Sequence, residues 1–181
     1  RTQPGQRVLV NGATGGVGVY AVQIAKALGA EVTAVCSAAN ADLAQSLRAD
    51  HVIDYKTEDF TKGDRRYDLI LDNVGNRSLA ECRQALAADG LYIPNSGRSQ
   101  GSWFGPLGRM GKAFLGSLFI SGQGRPYYSP VTRQDLLDLT EFVGDGKLAP
   151  IIDRRYSLGE TPAAMEYVAT GHARGKAVIV I

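Results

Sequence analysis

The chain has 181 residues, 44% hydrophobic and 21% charged, which is the composition of a globular protein with enough apolar mass for one core. Its 20 basic and 18 acidic residues give a net charge of +2 with no run of five like charges, so we expect neither a nucleic acid nor a membrane as a partner. The two cysteines, Cys36 and Cys82, exclude a disulfide framework and a zinc cluster. With no visible signal peptide, they favour a reducing, cytoplasmic location.

The first predicted strand, Arg7–Asn11, runs directly into a glycine-rich turn that opens a predicted helix over Gly16–Leu28. The turn consists of Gly12, Ala13, Thr14, Gly15, Gly16, Val17 and Gly18. Its glycines allow the backbone to turn tightly and to approach a pyrophosphate, and the helix directs its N–H groups and positive dipole end at the same point. This context predicts a dinucleotide site, the alternative being a glycine-rich turn that binds nothing.

Strand and helix patterns then alternate along the chain. Five more strands are predicted, at Glu31–Cys36, Val52–Asp54, Asp68–Asp72, Leu91–Pro94 and Ser117–Ser121. Two more helices are predicted, at Asn40–Leu47 and Arg77–Ala87, with Gly90 as a C-terminal stop. Short apolar strands alternating with helices predict an α/β fold, a doubly wound parallel six-stranded Rossmann sheet with the phosphate turn after its first strand.

The segment Gly97–Pro130 breaks this alternation and is predicted to be a loop with a short helix before the sixth strand. The remaining predictions are a capping box at Thr132 and Asp135, an extended connection over Lys147–Tyr156, a helix from an N-cap at Thr161 to about Thr170, and a closing strand over Lys176–Ile181.

Three motifs together resemble the medium-chain dehydrogenase/reductase superfamily, and most closely its zinc-independent quinone oxidoreductase branch. They are Gly12-Ala13-Thr14-Gly15-Gly16-Val17-Gly18, Asp72-Asn73-Val74-Gly75 and Gly175-Lys176-Ala177-Val178-Ile179. The resemblance implies an NADPH-dependent enzyme that transfers a hydride to a small-molecule acceptor such as a quinone or an enone.

The resemblance also implies a division of the chain. The family places a GroES-like β domain before the nucleotide fold, whereas only Arg1–Gln6 precede the first strand here. We therefore expect residues 1–149 to form the cofactor-binding half of a longer enzyme. Residues 150–181 would be the C-terminal tail that returns to the missing domain.

Further cofactor contacts follow from the resemblance. It assigns Asn73, Val74 and Gly75 to the ribose beside the nicotinamide. It assigns Tyr55 to the adenosine 2′-phosphate, with Lys176 expected nearby. After the fifth strand, Ser96 and Gly97 are expected to approach the nicotinamide. Phe119, in the sixth strand, is expected to touch the ring or to pack in a homodimer, because an apolar edge strand is a template for pairing and the family continues its sheet across two subunits.

The end of the second strand favours NADP over NAD. NAD-binding Rossmann proteins carry an acidic residue there for the ribose 2′-hydroxyl. Here the strand continues through Ser37 to Asn40 without a carboxylate, and both of these side chains can donate hydrogen bonds to a 2′-phosphate. No arginine follows the strand, and NAD remains possible.

No catalytic residue and no metal ligand can be named, since His51 and His172 each stand alone. A short-chain dehydrogenase would carry Tyr-x-x-x-Lys, which none of the eight tyrosines satisfies. Two alternatives stay open. One is a non-catalytic NADPH-binding sensor or structural module. The other is a zinc-dependent alcohol dehydrogenase with its ligands upstream of Arg1.

Overall fold

The computed structural model describes residues 2–95 and 132–181. The predicted sixth strand, Ser117–Ser121, and the loop before it lie outside the described residues. The first segment contains β1 (Arg7–Asn11), α1 (Gly18–Ala27), β2 (Glu31–Cys36), a 3₁₀ turn (Ala38–Asn40), α2 (Ala41–Ser46), β3 (His51–Asp54), β4 (Tyr67–Asp72), α3 (Leu79–Gln84) and β5 (Leu86–Pro94). The second segment contains α4 (Arg133–Gly144), β6 (Ile152–Ser157), a 3₁₀ turn (Leu158–Glu160), α5 (Thr161–Ala169) and β7 (Lys176–Val180).

The first five strands form one parallel sheet in the order β3-β2-β1-β4-β5. Because strands are parallel and in register, their carboxyl ends meet at one edge: Asn11 of β1 pairs with Val35 on one side and with Asp72 on the other. We call this the carboxyl edge. The order reverses at β1, so the turn after β1 lies at the switch point where ligands bind in open α/β sheets.

Both faces of this sheet are covered, which explains why its strands are apolar without alternation. Val8 and Val10 pack with the helix α1 residues Val19 and Val22 on one face. Leu9 points to the opposite face, where it packs in a second cluster around Tyr67, Ile70 and Cys82. The α/β class and the parallel sheet are therefore confirmed.

The strand count differs from the prediction, because the described residues form five strands in the main sheet plus two in a separate sheet. In that small sheet β6 pairs with β7 in parallel. The extended connection predicted over Lys147–Tyr156 was therefore wrong in its second half, where β6 begins at Ile152. Its sequence, Ile-Asp-Arg-Arg-Tyr-Ser, carries two adjacent arginines and gives little strand pattern.

The third helix and fifth strand also differ from their predictions. The helix ends at Gln84 rather than Ala87, and Gly90 lies inside β5 instead of ending a helix. The pairing of β4 with β5 shifts between Tyr67 and Leu69, which marks a bulge. A Cβ on Gly90 would lie 2.7 Å from the carbonyl oxygen of Tyr67, so close approach of the two backbones is what requires glycine here.

Helix ends were predicted with mixed success. The capping box before α4 is confirmed: Thr132 Oγ1 accepts from the Asp135 N–H, and the Asp135 carboxylate accepts from the Thr132 N–H at 2.8 Å. The N-cap of α5 is Glu160 rather than Thr161, because a 3₁₀ turn held by a Ser157–Glu160 capping box precedes the helix. The N-cap residue of α1, Val17, is 48% exposed.

Candidate dinucleotide site

The glycines of the turn after β1 have distinct reasons for being glycine. Gly12 has a φ of +75°, a conformation that L side chains rarely adopt, and an added Cβ would lie 2.9 Å from Val74 Cγ2. A Cβ on Gly18 would lie 2.1 Å from the carbonyl oxygen of Gly12, which no side chain can accommodate. At these two positions the fold itself therefore requires glycine.

Gly15 differs from those two, since an added Cβ would have only an ordinary contact of 3.5 Å with the Gly12 carbonyl oxygen. Nothing described in the protein occupies the space over this residue. The turn thus has a bare backbone surface at Gly15, and a ligand that approaches closely, such as a pyrophosphate, would account for it.

The N-terminal end of α1 supplies hydrogen-bond donors to the same place. Its N-cap residue, Val17, makes no side-chain capping bond. The backbone N–H groups of Gly16, Val17 and Gly18 have no hydrogen-bond partner among residues 2–95 and 132–181. Such N–H groups, together with the positive end of the helix dipole, form an anion site.

The predicted nicotinamide-side residues lie directly beside the turn. The side-chain amide and the backbone N–H of Asn73 both donate to the Asn11 carbonyl oxygen, at 3.1 Å. The Asn73 side chain also accepts a bond from Asn95 at 2.8 Å. The segment of Asn73, Val74 and Gly75 therefore contacts the end of β1, as a continuous site requires. Ser96, Gly97 and Phe119 lie outside the described residues.

Asp72, at the end of β4, holds this arrangement in place. It is 0% exposed, and its Oδ1 accepts hydrogen bonds from the Asn11 side chain, from the Val74 N–H and from the Gly75 N–H. Its Oδ2 accepts from the Tyr92 hydroxyl at 2.8 Å. Burial and this bond to the carboxylate raise the pKa of Tyr92 far above its ordinary value. Asp72 therefore positions the 73–75 turn instead of capping the following helix, whose cap is Ser78.

The predicted adenosine-side residues meet at the end of β2. The Asn40 side chain donates to Thr14 Oγ1 at 3.2 Å, and Ser37 accepts the Asn40 N–H at 2.9 Å through its carbonyl oxygen. The Tyr55 N–H donates to the Cys36 carbonyl oxygen at 3.1 Å. The predicted site residues on the first five strands and their turns, where the structure describes them, thus all lie at the carboxyl edge.

Lys176 reaches this edge from the start of β7. The Gly175 N–H donates to the Thr14 carbonyl oxygen at 3.1 Å. A Cβ on Gly16 would lie 3.4 Å from Lys176 Nζ, and that ammonium stands 5.6 Å from the centroid of the Tyr20 ring. Sequence reasoning missed Arg174 in the same segment, whose Nη2 donates to the Ala39 carbonyl oxygen at 2.6 Å across 135 residues of sequence.

Comparison with known proteins assigns the chain to a family. The family model described as zinc-binding dehydrogenase matches residues 47–179. The chain belongs to the zinc-binding dehydrogenase family. The predicted resemblance to medium-chain dehydrogenases/reductases is thereby confirmed, with quinone oxidoreductases among its relatives.

The similar proteins carry reductase and oxidoreductase names. The human mitochondrial NAD(P)H oxidoreductase RTN4IP1 is 36% identical over 97% of this chain and 48% of that protein. The trans-enoyl reductase pgmF of Aspergillus terreus is 32% identical over 98% of this chain and 52% of that protein. A quinone oxidoreductase structure from Coxiella burnetii superposes with a TM-score of 0.79 at 26% identity, over 99% of this chain and 54% of that one. This member of the family thus spans about half the length of the relatives it matches.

Neither cysteine of the chain is accessible as a thiolate. Cys36 and Cys82 are buried free thiols, and burial followed by the charge of Asp72 raises the pKa of Cys82 to about 11. Among the described residues, no group of three or more His, Cys, Asp or Glu could hold a metal ion. No described helix is long and apolar enough to cross a membrane.

Proposed function

We propose that the protein containing this chain is an NADPH-dependent oxidoreductase that transfers a hydride to quinones, enones or similar activated acceptors. Bound nicotinamide would supply the hydride, while the chain binds and orients the cofactor. The observation that carries the proposal is the glycine turn at the switch point of the sheet. There, backbone N–H groups without a hydrogen-bond partner in the described residues lie next to the exposed backbone of Gly15.

The residues at the carboxyl edge divide this task. The N–H groups of Gly16, Val17 and Gly18 would bind the pyrophosphate, and the 73–75 turn would contact the ribose beside the nicotinamide. Ser37, Asn40 and Tyr55 would surround the adenosine 2′-phosphate, while Lys176, whose ammonium lies close to Gly16, would bind the phosphates at the glycine turn. One carboxylate, Asp54, lies at the end of β3 on the same edge. It accepts a hydrogen bond from the Lys56 N–H at 3.1 Å, so it already has a partner within the chain.

The names of the relatives support the acceptor class. An enoyl reductase and a quinone oxidoreductase both reduce an activated conjugated system, and both are similar to nearly the whole of this chain. We further propose that residues 150–181 pack on a preceding substrate domain that completes the acceptor pocket. Close contact between acceptor and nicotinamide is what hydride transfer requires.

The test is turnover of the full-length protein with NADPH and a small quinone or enone, with and without a chelator. We expect chelator-insensitive activity. Inactivity across acceptors despite tight NADPH binding would favour a cofactor-binding sensor.

A zinc-dependent alcohol dehydrogenase is the second candidate, because the matching family model is a zinc-binding one. It predicts activity with alcohols that a chelator abolishes and zinc restores.

Two further proposals concern assembly and location. We propose a homodimer formed through the segment Ser117–Ser121, which light scattering of the full-length protein at micromolar concentration would detect. We also propose a cytoplasmic location. The mitochondrial names of the RTN4IP1 relatives make fractionation of the source cells the deciding measurement.

A further inference from the structure

We infer that Arg174 is the specificity-determining cation of the cofactor site, its guanidinium pairing with the 2′-phosphate of NADP from the turn before β7. The inference rests on the proposed nicotinamide cofactor. The inference adds a residue that is distant in sequence to the 2′-phosphate subsite, which otherwise consists of Ser37, Asn40 and Tyr55.

The position of the guanidinium is the first argument. Arg174 Nη2 donates to the Ala39 carbonyl oxygen at 2.6 Å, within the 3₁₀ turn that directly follows β2. In a Rossmann fold the end of β2 is where the adenosine ribose lies, and an arginine there accommodates the 2′-phosphate of NADP. The arginine that the local sequence lacks is thus supplied from the other end of the chain.

The backbone of the segment is fixed at both sides of Arg174, which gives the side chain a defined origin. The Arg174 N–H donates to Asp153 Oδ2 at 2.9 Å, and the Gly175 N–H donates to the Thr14 carbonyl oxygen at 3.1 Å. Gly175 has a φ of +80°, and an added Cβ would lie 2.4 Å from the Ile151 carbonyl oxygen. The chain therefore turns sharply here, against the glycine turn of the site.

The charge of Arg174 is available to a ligand. The guanidinium is exposed and forms no ion pair within the described ranges 2–95 and 132–181. Its hydrogen bond to Ala39 uses one of the five N–H donors that a guanidinium carries. The guanidinium is planar and its other N–H donors can bind a phosphate through two parallel hydrogen bonds, which a lysine ammonium cannot do.

Lys176 and Arg174 have different neighbours, so we expect them to contact different parts of the cofactor. The Lys176 ammonium lies close to Gly16 at the glycine turn, whereas the Arg174 guanidinium lies at Ala39 beyond β2. We therefore expect Lys176 to act on both cofactors through the shared phosphates. Arg174 should act on NADPH alone.

The test measures binding to the full-length protein by calorimetry, with NADPH, NADH, 2′,5′-ADP and 5′-AMP as probes. Arg174→Gln should weaken NADPH and 2′,5′-ADP by roughly tenfold or more, and leave NADH and 5′-AMP within about twofold. Arg174→Lys should restore part of the NADPH affinity. The salt dependence of NADPH binding should become shallower in Arg174→Gln.

Arg155→Gln is the matched control, since it removes one exposed arginine from the neighbouring strand β6 and should change no affinity. Equal weakening of NADPH and NADH in Arg174→Gln, with a lowered melting temperature, would mean that Arg174 only holds the 3₁₀ turn. Unchanged NADPH affinity would also overturn the inference.

The outcomes also separate this inference from the proposed function. A wild-type protein that binds NADPH through Arg174 but reduces no acceptor would leave the inference standing and overturn the enzymatic proposal. A wild-type protein that binds neither NADPH nor NADH would overturn both.

Discussion

The main sheet has a carboxyl edge and, at the opposite end where its strands begin, an amino edge. The two edges differ in how far their charges and hydrogen-bond donors are paired within the chain. At the amino edge, Glu31 accepts from His51 at 2.8 Å and from Arg65 at 2.7 Å. Lys26 pairs with Asp50 at 2.7 Å, and the same carboxylate accepts the Val32 N–H. These charges are therefore paired within the chain.

The carboxyl edge leaves several of its donors without a partner among the described residues. Three consecutive N–H groups, of Gly16, Val17 and Gly18, have no partner in the described residues, and Arg174 and Lys176 form no ion pair there. Both kinds of donor favour an anion. The comparison indicates that the amino edge serves stability, whereas the carboxyl edge keeps its capacity for a phosphate-bearing ligand.

The largest expected effect separates the glycines of the turn. Gly18→Ala forces a Cβ to within 2.1 Å of the Gly12 carbonyl oxygen, so we expect a loss of about 3 kcal/mol or more in the free energy of unfolding. Gly15→Ala makes the same chemical change in open space and should alter stability by less than about 1 kcal/mol. Urea denaturation followed by circular dichroism measures both.

Cofactor titration completes this comparison, because Gly15→Ala should weaken NADPH by roughly tenfold or more while leaving the fold intact. A Gly15→Ala protein with wild-type affinity would remove the pyrophosphate from this turn. A Gly18→Ala protein of full stability would contradict the close packing of α1 on β1.

The second prediction concerns the carboxylate that builds the carboxyl edge. Asp72→Ala would strip an acceptor from Asn11, from the Val74 and Gly75 N–H groups and from Tyr92 in a fully buried place. We expect a cost of about 3 kcal/mol in the free energy of unfolding, since the buried Asn11 side chain and three partly buried donors lose an acceptor together. Tyr92→Phe removes one of these partners and should cost about 1 kcal/mol.

A third, smaller effect tests the cofactor preference without touching the fold. Ser37→Asp places a carboxylate after β2, where it would repel a 2′-phosphate and could accept a bond from a ribose hydroxyl. We expect NADPH to weaken by roughly tenfold and NADH to tighten. Fluorescence titration with both cofactors measures the ratio. A wild-type preference for NADH would contradict the argument from the missing carboxylate.

Local patterns explain what could be predicted from the sequence. The glycine turn, the strands around it and the Thr132–Asp135 capping box each depend on contacts within a few residues, and all are found where expected. The sheet class followed from the alternation of these local elements.

Contacts between distant segments explain what could not be predicted. Gly90 follows a helical pattern, but its environment is the backbone of Tyr67 on the neighbouring strand. Likewise β6 has little strand character of its own and forms by pairing with β7. The meeting of Arg174 with Ala39 depends on the return of the chain to the carboxyl edge, which no spacing reveals.

The smallest expected effect lies at the amino edge and concerns acid stability. The hydrogen bond from His51 and the charge of Arg65 hold the pKa of Glu31 below its ordinary value, against the opposing effect of burial. A carboxyl whose pKa is lowered by folding stabilises the protein above its unfolded pKa, and that stabilisation disappears as the pH falls through the lowered value. Glu31→Gln should therefore lower the free energy of unfolding by under about 1 kcal/mol at pH 7, because the carboxyl is partly exposed. Below about pH 4, the free energy of unfolding should depend less on pH in this variant than in the wild type. Urea titrations from pH 3 to 7 measure this in both proteins, and NADPH affinity at pH 7 should be unchanged. A Glu31→Gln protein that loses cofactor affinity would show that the two edges are coupled, and would break the division between them.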